Sequence, residues 1–159
     1  MPGDNFTRMI QLADEFFEAK NDPSQLDIDE SIIARLQKIH PATMGEIADE
    51  NGPIAWTIAI PTTHTLMQKF LEKKISEKEL FVLTECEQQF DAVYLCSALV
   101  LPEHREKGIA KKLACTSLRA ILHEHPIREL FYWSFSTEGE RLAQAIADEL
   151  QLSLKRRTE

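Results

Sequence analysis

From Asn5 to Lys20 the apolar residues Phe6, Met9, Ile10, Ala13, Phe16 and Phe17 recur at helical spacing, while Asp14, Glu15, Glu18 and Lys20 fall on the other face. This periodicity predicts an amphipathic helix. Asn21-Asp22-Pro23 stops it, and Asp27 with Glu30 three residues later has the form of a capping box opening a second helix. Ile32, Ile33, Leu36 and Ile39 form the buried side of that helix, and Pro41 ends it. The period then changes. Thr43 to Glu50 and Pro53 to Ile60 flank Asn51-Gly52, a pair that tolerates positive φ, which predicts a β-hairpin.

Helical spacing returns from Thr65 to Ser76 in Leu66, Met67, Phe70, Leu71 and Ile75, with Lys69, Glu72, Lys73 and Lys74 on the solvated side. Leu80 to Thr84 reads as a further short strand, and Glu85 to Gln89 as a loop. Asp91 to Leu101 is almost entirely apolar or small, as in a strand covered on both faces, and should be central. After Pro102-Glu103-His104 a long helix runs to about Leu122. Leu130 to Phe135 fits an aromatic strand, Glu138 to Leu150 is helical, and Leu152 and Leu154 alternate in a short last strand. The expected fold class is α/β, an α+β layered arrangement, in one domain over residues 1–159.

Charge and cysteine usage narrow the class. Twenty-six acidic residues against 18 basic ones give −8, which argues against general nucleic-acid binding. No apolar run is long enough to span a bilayer. The start MPGDNFTRMI lacks an apolar stretch behind a basic one, so a cytoplasmic location is expected. Cys86, Cys96 and Cys115 are odd in number and far apart, and no metal site is expected.

The chemistry concentrates in Ala98 to Leu113, where a buried strand empties into a turn and then a helix. The first turn of a helix has unpaired N–H groups and the positive end of the macrodipole, so an anion there gains several hydrogen bonds. Gly108 allows that anion close to the backbone, and Ala110 keeps the next turn bare. Residues 105–119 sum to +4 through Arg105, Lys107, Lys111, Lys112 and Arg119 against Glu106. A polyphosphate is the expected ligand. The string has no G-x-G-x-x-G and no G-K-[ST], which sets aside the dinucleotide and P-loop alternatives.

Val100-x-Pro102-x-x-Arg105-x-x-Gly108-Ile109-Ala110 resembles the acetyl-CoA signature of the GNAT superfamily of N-acetyltransferases. The resemblance covers roughly residues 91–125 and implies a GNAT-like mixed central sheet flanked by helices, here shortened at its N- and C-terminal edges. A second subunit could cover such edges, giving a homodimer. By the resemblance, backbone N–H groups of Glu106, Lys107, Gly108, Ile109, Ala110 and Lys111 hold the pyrophosphate of coenzyme A, with Arg105 opening the loop. Ala98, Leu99 and Val100 pair with the pantetheine arm in a splayed gap, and an N–H near Ala98 faces the acetyl carbonyl as an oxyanion donor.

The reaction implied is transfer of an acetyl group from acetyl-CoA to an amine, a small molecule or peptide, by direct attack in a ternary complex. It needs a proton removed from the ammonium and one returned to the thiolate. The tyrosine that relatives often carry in the last helix aligns with Ala147, with Gln151 at the usual glycine. Tyr94, four residues before the acetyl-facing position and on one strand face with Cys96 and Ala98, is the first candidate for proton transfer. Glu87, with Glu85 and Asp91, precedes the strand as a candidate base. The helix 65–76 is placed to wall the acceptor pocket. The rival function is a GNAT-fold acyl-CoA-binding domain that regulates or docks without turnover, and a third reading takes 104–122 as a basic amphipathic helix for a partner or membrane surface.

Overall fold

The computed structural model describes residues 5–20, 30–86, 88–105, 107–134 and 136–158. Asp27, and with it the expected first capping box, lies outside them. Helices α1 (Asn5–Lys20) and α2 (Glu30–Ile39) come first, followed by the hairpin β1 (Met44–Asp49) and β2 (Gly52–Thr62). Asp49 pairs with Gly52, so Glu50 and Asn51 make the turn and Gly52, at φ +116°, carries the positive φ just inside the second strand. Asn5 stitches α1 to this tip, its side-chain amide donating to Asp49 Oδ1 (2.8 Å) and to the Gly52 carbonyl (3.2 Å).

The segment between β2 and the central strand holds two short helices, α3 (His64–Leu71) and α4 (Glu77–Leu83). This corrects both expectations there: the helix stops at Leu71 instead of running to Ser76, and Leu80 to Thr84 is not a strand. Lys73, at φ +64°, breaks the first helix. Ser76 and Glu79 then form a complete capping box, Ser76 Oγ accepting from the Glu79 N–H and the Glu79 carboxylate accepting from the Ser76 N–H. Two orphan donors are thereby satisfied and α4 is nucleated. Leu80 and Phe81 are buried below it.

Strand β3 (Ala92–Val100) leads through a short 3₁₀ turn, Pro102–His104, to α5 (Ile109–Glu124); β4 (Glu129–Trp133), α6 (Thr137–Leu150) and β5 (Ser153–Arg157) complete the chain. The sheet has five strands in the order β1-β2-β3-β4-β5, antiparallel across the first two pairings and parallel across the last two. It is a mixed, open sheet flanked by helices, an α+β layered fold. Among the described residues the outer edges of β1 and β5 have no further strand.

Gly45 decides how closely α5 lies on the sheet: a Cβ there would stand 2.7 Å from both Ser117 Oγ and Thr57 Oγ1, so the helix approaches only because none is present. Phe70 is the hub of an aromatic cluster, its ring 5.0 Å from Tyr94, 5.7 Å from Phe131 and 6.0 Å from Trp133. Arg157 lies over Phe70 (4.5 Å) and Trp133 (4.6 Å), and its guanidinium donates to the Ile75 carbonyl. This contact fastens the last strand to the α3–α4 connection, with cation–π attraction adding to burial.

Candidate functional site

The central feature is a place where the sheet comes apart. Strands β3 and β4 pair only over Ala92–Tyr94 and Glu129–Phe131. β3 nevertheless runs on to Val100, held by β2 on its other side. From Leu95 onward it has no β4 residue opposite it among the described residues, and this stretch borders a cleft of about 1030 Å³. One wall is Leu95 to Val100; α5 supplies Ile109, Ala110, Lys111 and Ala114; β4 and α6 supply Tyr132, Trp133, Leu142, Ala143 and Ile146. Leu12 and Glu15 of α1 close another side.

β3 carries a bulge inside this wall. Ile58 pairs with Ser97 and Ala59 with Leu95, which leaves Cys96 as the extra residue. The register fixes the consequence. Ala98 stands opposite Thr57 and Tyr94 opposite Ile60. Because these β2 partners are an odd number of residues apart, Ala98 and Tyr94 lie on opposite faces of the sheet.

Tyr94 is thus turned away from the site expected for it. It is buried with Phe70 and Phe131, it is absent from the cleft lining, and its hydroxyl donates to the buried carboxylate of Glu77. Burial holds the phenol well above the usual tyrosine range, and the Glu77 charge raises it further. It is a core group. Helix α3 contributes nothing to the cleft lining, and the expectation that this segment walls the pocket is not met among the described residues.

The turn after β3 is braced from within. Leu101 N–H donates to the Ile54 carbonyl (2.9 Å), His104 N–H to Leu101 (2.9 Å), and Arg105 Nε to the Val100 carbonyl (3.0 Å). Glu103 makes a two-pronged contact with Arg8 of α1, both distances 2.6 Å, and its carboxyl is held down at about 2, first by that hydrogen bond. Gly108 then takes φ +73°, the left-handed conformation, as the N-cap of α5. Nothing lies within 4 Å of a Cβ built there, so this glycine serves conformation and open space, not packing.

No side chain caps α5. By contrast Thr63, Ser76 and Ser136 cap α3, α4 and α6 through their hydroxyls. The first-turn N–H groups of α5 thus remain available to an external acceptor beside Arg105 and Lys107.

The basic island is smaller in space than in sequence. Lys111 (3.4 Å) and Arg119 (2.9 Å) both face Glu149 of α6, whose carboxyl is lowered, chiefly by Lys111. Arg105, Lys107 and Lys112 make no ion pair with a carboxylate among the described residues. Of the residues singled out in sequence, Ala98, Leu99, Val100, Arg105, Gly108, Ile109, Ala110 and Lys111 all line the cleft, and Lys107 sits exposed beside Gly108. Glu87 and Glu106 lie outside the described residues. Asp91 accepts the His64 N–H (2.6 Å), and neither it nor Glu85 borders the cleft.

Tyr132, Glu15 and Glu138 also line the cleft, and none of them is among the site residues expected from the sequence. Tyr132 is buried, and its hydroxyl has no hydrogen-bond partner among the described residues. The alternation of 130–135 would have placed it on one strand face, but which face opens on a cleft depends on where β4 leaves β3. Ala147, at the position aligned with the missing helix tyrosine, is buried, and Gln151 closes α6 at φ +57° where a glycine would be unstrained. Among the described residues no three His, Cys, Asp or Glu side chains gather to hold a metal ion, and no helix is long and apolar enough to cross a membrane. No family profile, characterised protein or solved structure matches the chain.

Proposed function

We propose that the chain is an acetyl-CoA-dependent N-acetyltransferase of GNAT type, moving an acetyl group to a small or peptidic amine by direct attack. One observation carries this reading: the stretch of β3 that β4 does not pair, Leu95–Val100, leads toward a helix start without a side-chain cap at a left-handed glycine, all on one cleft. A strand edge offers alternating N–H and C=O groups to an amide-bearing arm, as in β-strand addition. The helix start offers N–H groups and the dipole to a diphosphate. The braced turn 101–105 lies between the two. Acetyl-CoA has both parts in that order, a pantetheine arm with two amides ending in a diphosphate.

Within this reading the backbone of Ala98–Val100 aligns the arm, and the first turn of α5 with Arg105 and Lys107 holds the diphosphate. Glu15 and Glu138 border the same cleft and favour a cationic acceptor. A second reading, an acyl-CoA-binding domain without turnover, is favoured by Tyr94 being committed to Glu77 and by Ala147 standing where an acid is usual. Thiol release from acetyl-CoA over a panel of primary amines separates the two. Release with at least one amine supports the enzyme, whereas binding without release on every amine supports the silent domain.

A further inference from the structure

We infer that Tyr132 is the acid that returns a proton to the departing thiolate, a role that rests on the acetyltransferase reading above. Three observations meet at this residue. It is the first β4 residue beyond the last paired rung, Tyr94 with Phe131, so it stands at the narrow end of the gap. Its face is the right one. Side chains alternate along β4, so Tyr132 points opposite to Phe131, which lies in the core with Tyr94. Tyr132 therefore shares the sheet face of Ala98, the face that the bulge at Cys96 denies to Tyr94. Finally, it is 8% exposed, lines the cleft, and its hydroxyl has no partner among the described residues. The residue is buried but its hydroxyl oxygen is not, so the hydroxyl is reachable from the cleft.

An arm that enters over the α5 start and pairs along Val100 to Ala98 delivers its thioester toward Leu95 and Tyr132. There the amine nitrogen forms a bond to the carbonyl carbon, and the carbon–sulfur bond breaks with its electron pair left on sulfur. The Tyr132 phenol gives its proton to that sulfur, which leaves as the thiol. The proton lost from nitrogen passes through water to the phenolate, restoring the phenol. The sum is amine plus thioester giving amide plus thiol, and no further reactant is needed.

The chain has only 2 tyrosines, which makes the test clean. Protein labelled with ¹³C at the tyrosine Cζ is titrated with acetyl-CoA, while affinity and thiol release are measured on wild type, Tyr132→Phe and Tyr94→Phe. The expected result is a shift of the Tyr132 resonance alone on binding, and a kcat lowered about 10²- to 10⁴-fold in Tyr132→Phe at unchanged acetyl-CoA affinity. Tyr94→Phe is expected to lower the melting temperature and spare kcat. A bound state that leaves the Tyr132 resonance unmoved, or a Tyr132→Phe enzyme as fast as wild type, overturns the assignment and leaves the acetyltransferase reading standing. Wild type that binds no acetyl-CoA, or binds it and releases no thiol, overturns the enzymatic reading and this assignment together.

Discussion

Helices α5 and α6 open on the same cleft, and their ends are built in opposite ways. α6 is complete at its start. Ser136 Oγ accepts the Gly139 N–H (3.0 Å), Glu138 and Glu140 supply negative charge in the first turn, and Arg156 holds Glu140 (3.1 Å). α5 begins at a glycine with φ +73°, has no cap and no acid in its first turn, and is preceded by Arg105 and Lys107. The difference separates a helix start that the chain satisfies itself from one whose donors it leaves to something else. Two starts on one cleft would act alike on an anion by dipole alone; the caps and charges would favour α5.

Changing Gly108 to Glu should have the largest effect. It places a carboxylate on the open helix start and should weaken acetyl-CoA about 100-fold or more, equivalent to ~2.7 kcal/mol. Since a Cβ there meets nothing, the thermal transition should fall only by the left-handed strain, about 1–2 kcal/mol. Calorimetry on the variant checks both, and retained affinity would erase the distinction between the two starts. Ser136→Ala should show the converse. It removes the α6 cap at a cost of ~1 kcal/mol in denaturant unfolding and leaves acetyl-CoA affinity within about twofold, because that hydroxyl is already committed.

The smallest effect concerns the other end of α5. His125 caps it and accepts the Phe90 N–H on Nδ1 (3.3 Å), with the His40 ring 5.9 Å away. His40 in turn accepts the Ala42 N–H on Nδ1 and meets Glu124 through Nε2. Burial, then His40, lowers the His125 pKa. A histidine held below its unfolded value of about 6.5 contributes stability above that pH and loses it as pH falls toward the folded value. Stability measured from pH 7 to 5 should decline, and His125→Asn should flatten part of the decline. An unchanged slope would show that this end does not titrate as described.

The hairpin, β3, α5, β4 and α6 were legible because each has its own period and its own stop, such as Asn51-Gly52 or Pro102. The stretch 72–84 was not. Ile75 continued the helical spacing past Leu71, while the break lies in the backbone of Lys73, a residue type that carries no such signal. The run Leu80-Phe81-Val82-Leu83 looks like a strand, yet Ser76 and Glu79 had already opened a helix. The open start of α5 at Gly108 was legible because it depends on local backbone, a glycine with no capping side chain after it. Tyr94 faces away from the cleft for one reason: strict alternation would put it with Ala98, and the extra residue at Cys96 reverses that. That Tyr132, and not its strand neighbours on the other face, stands at the end of the gap was not legible, because it depends on where two distant strands stop pairing.

The most direct test is whether the cleft binds acetyl-CoA in the orientation that the contrast between α5 and α6 requires. Titration of the wild-type protein with acetyl-CoA and with S-acetylpantetheine, which lacks the diphosphate, measures this. One site per chain is expected, with the truncated thioester at least about tenfold weaker, a difference of ~1.4 kcal/mol. Absence of binding, or equal affinity for the two thioesters, would contradict it.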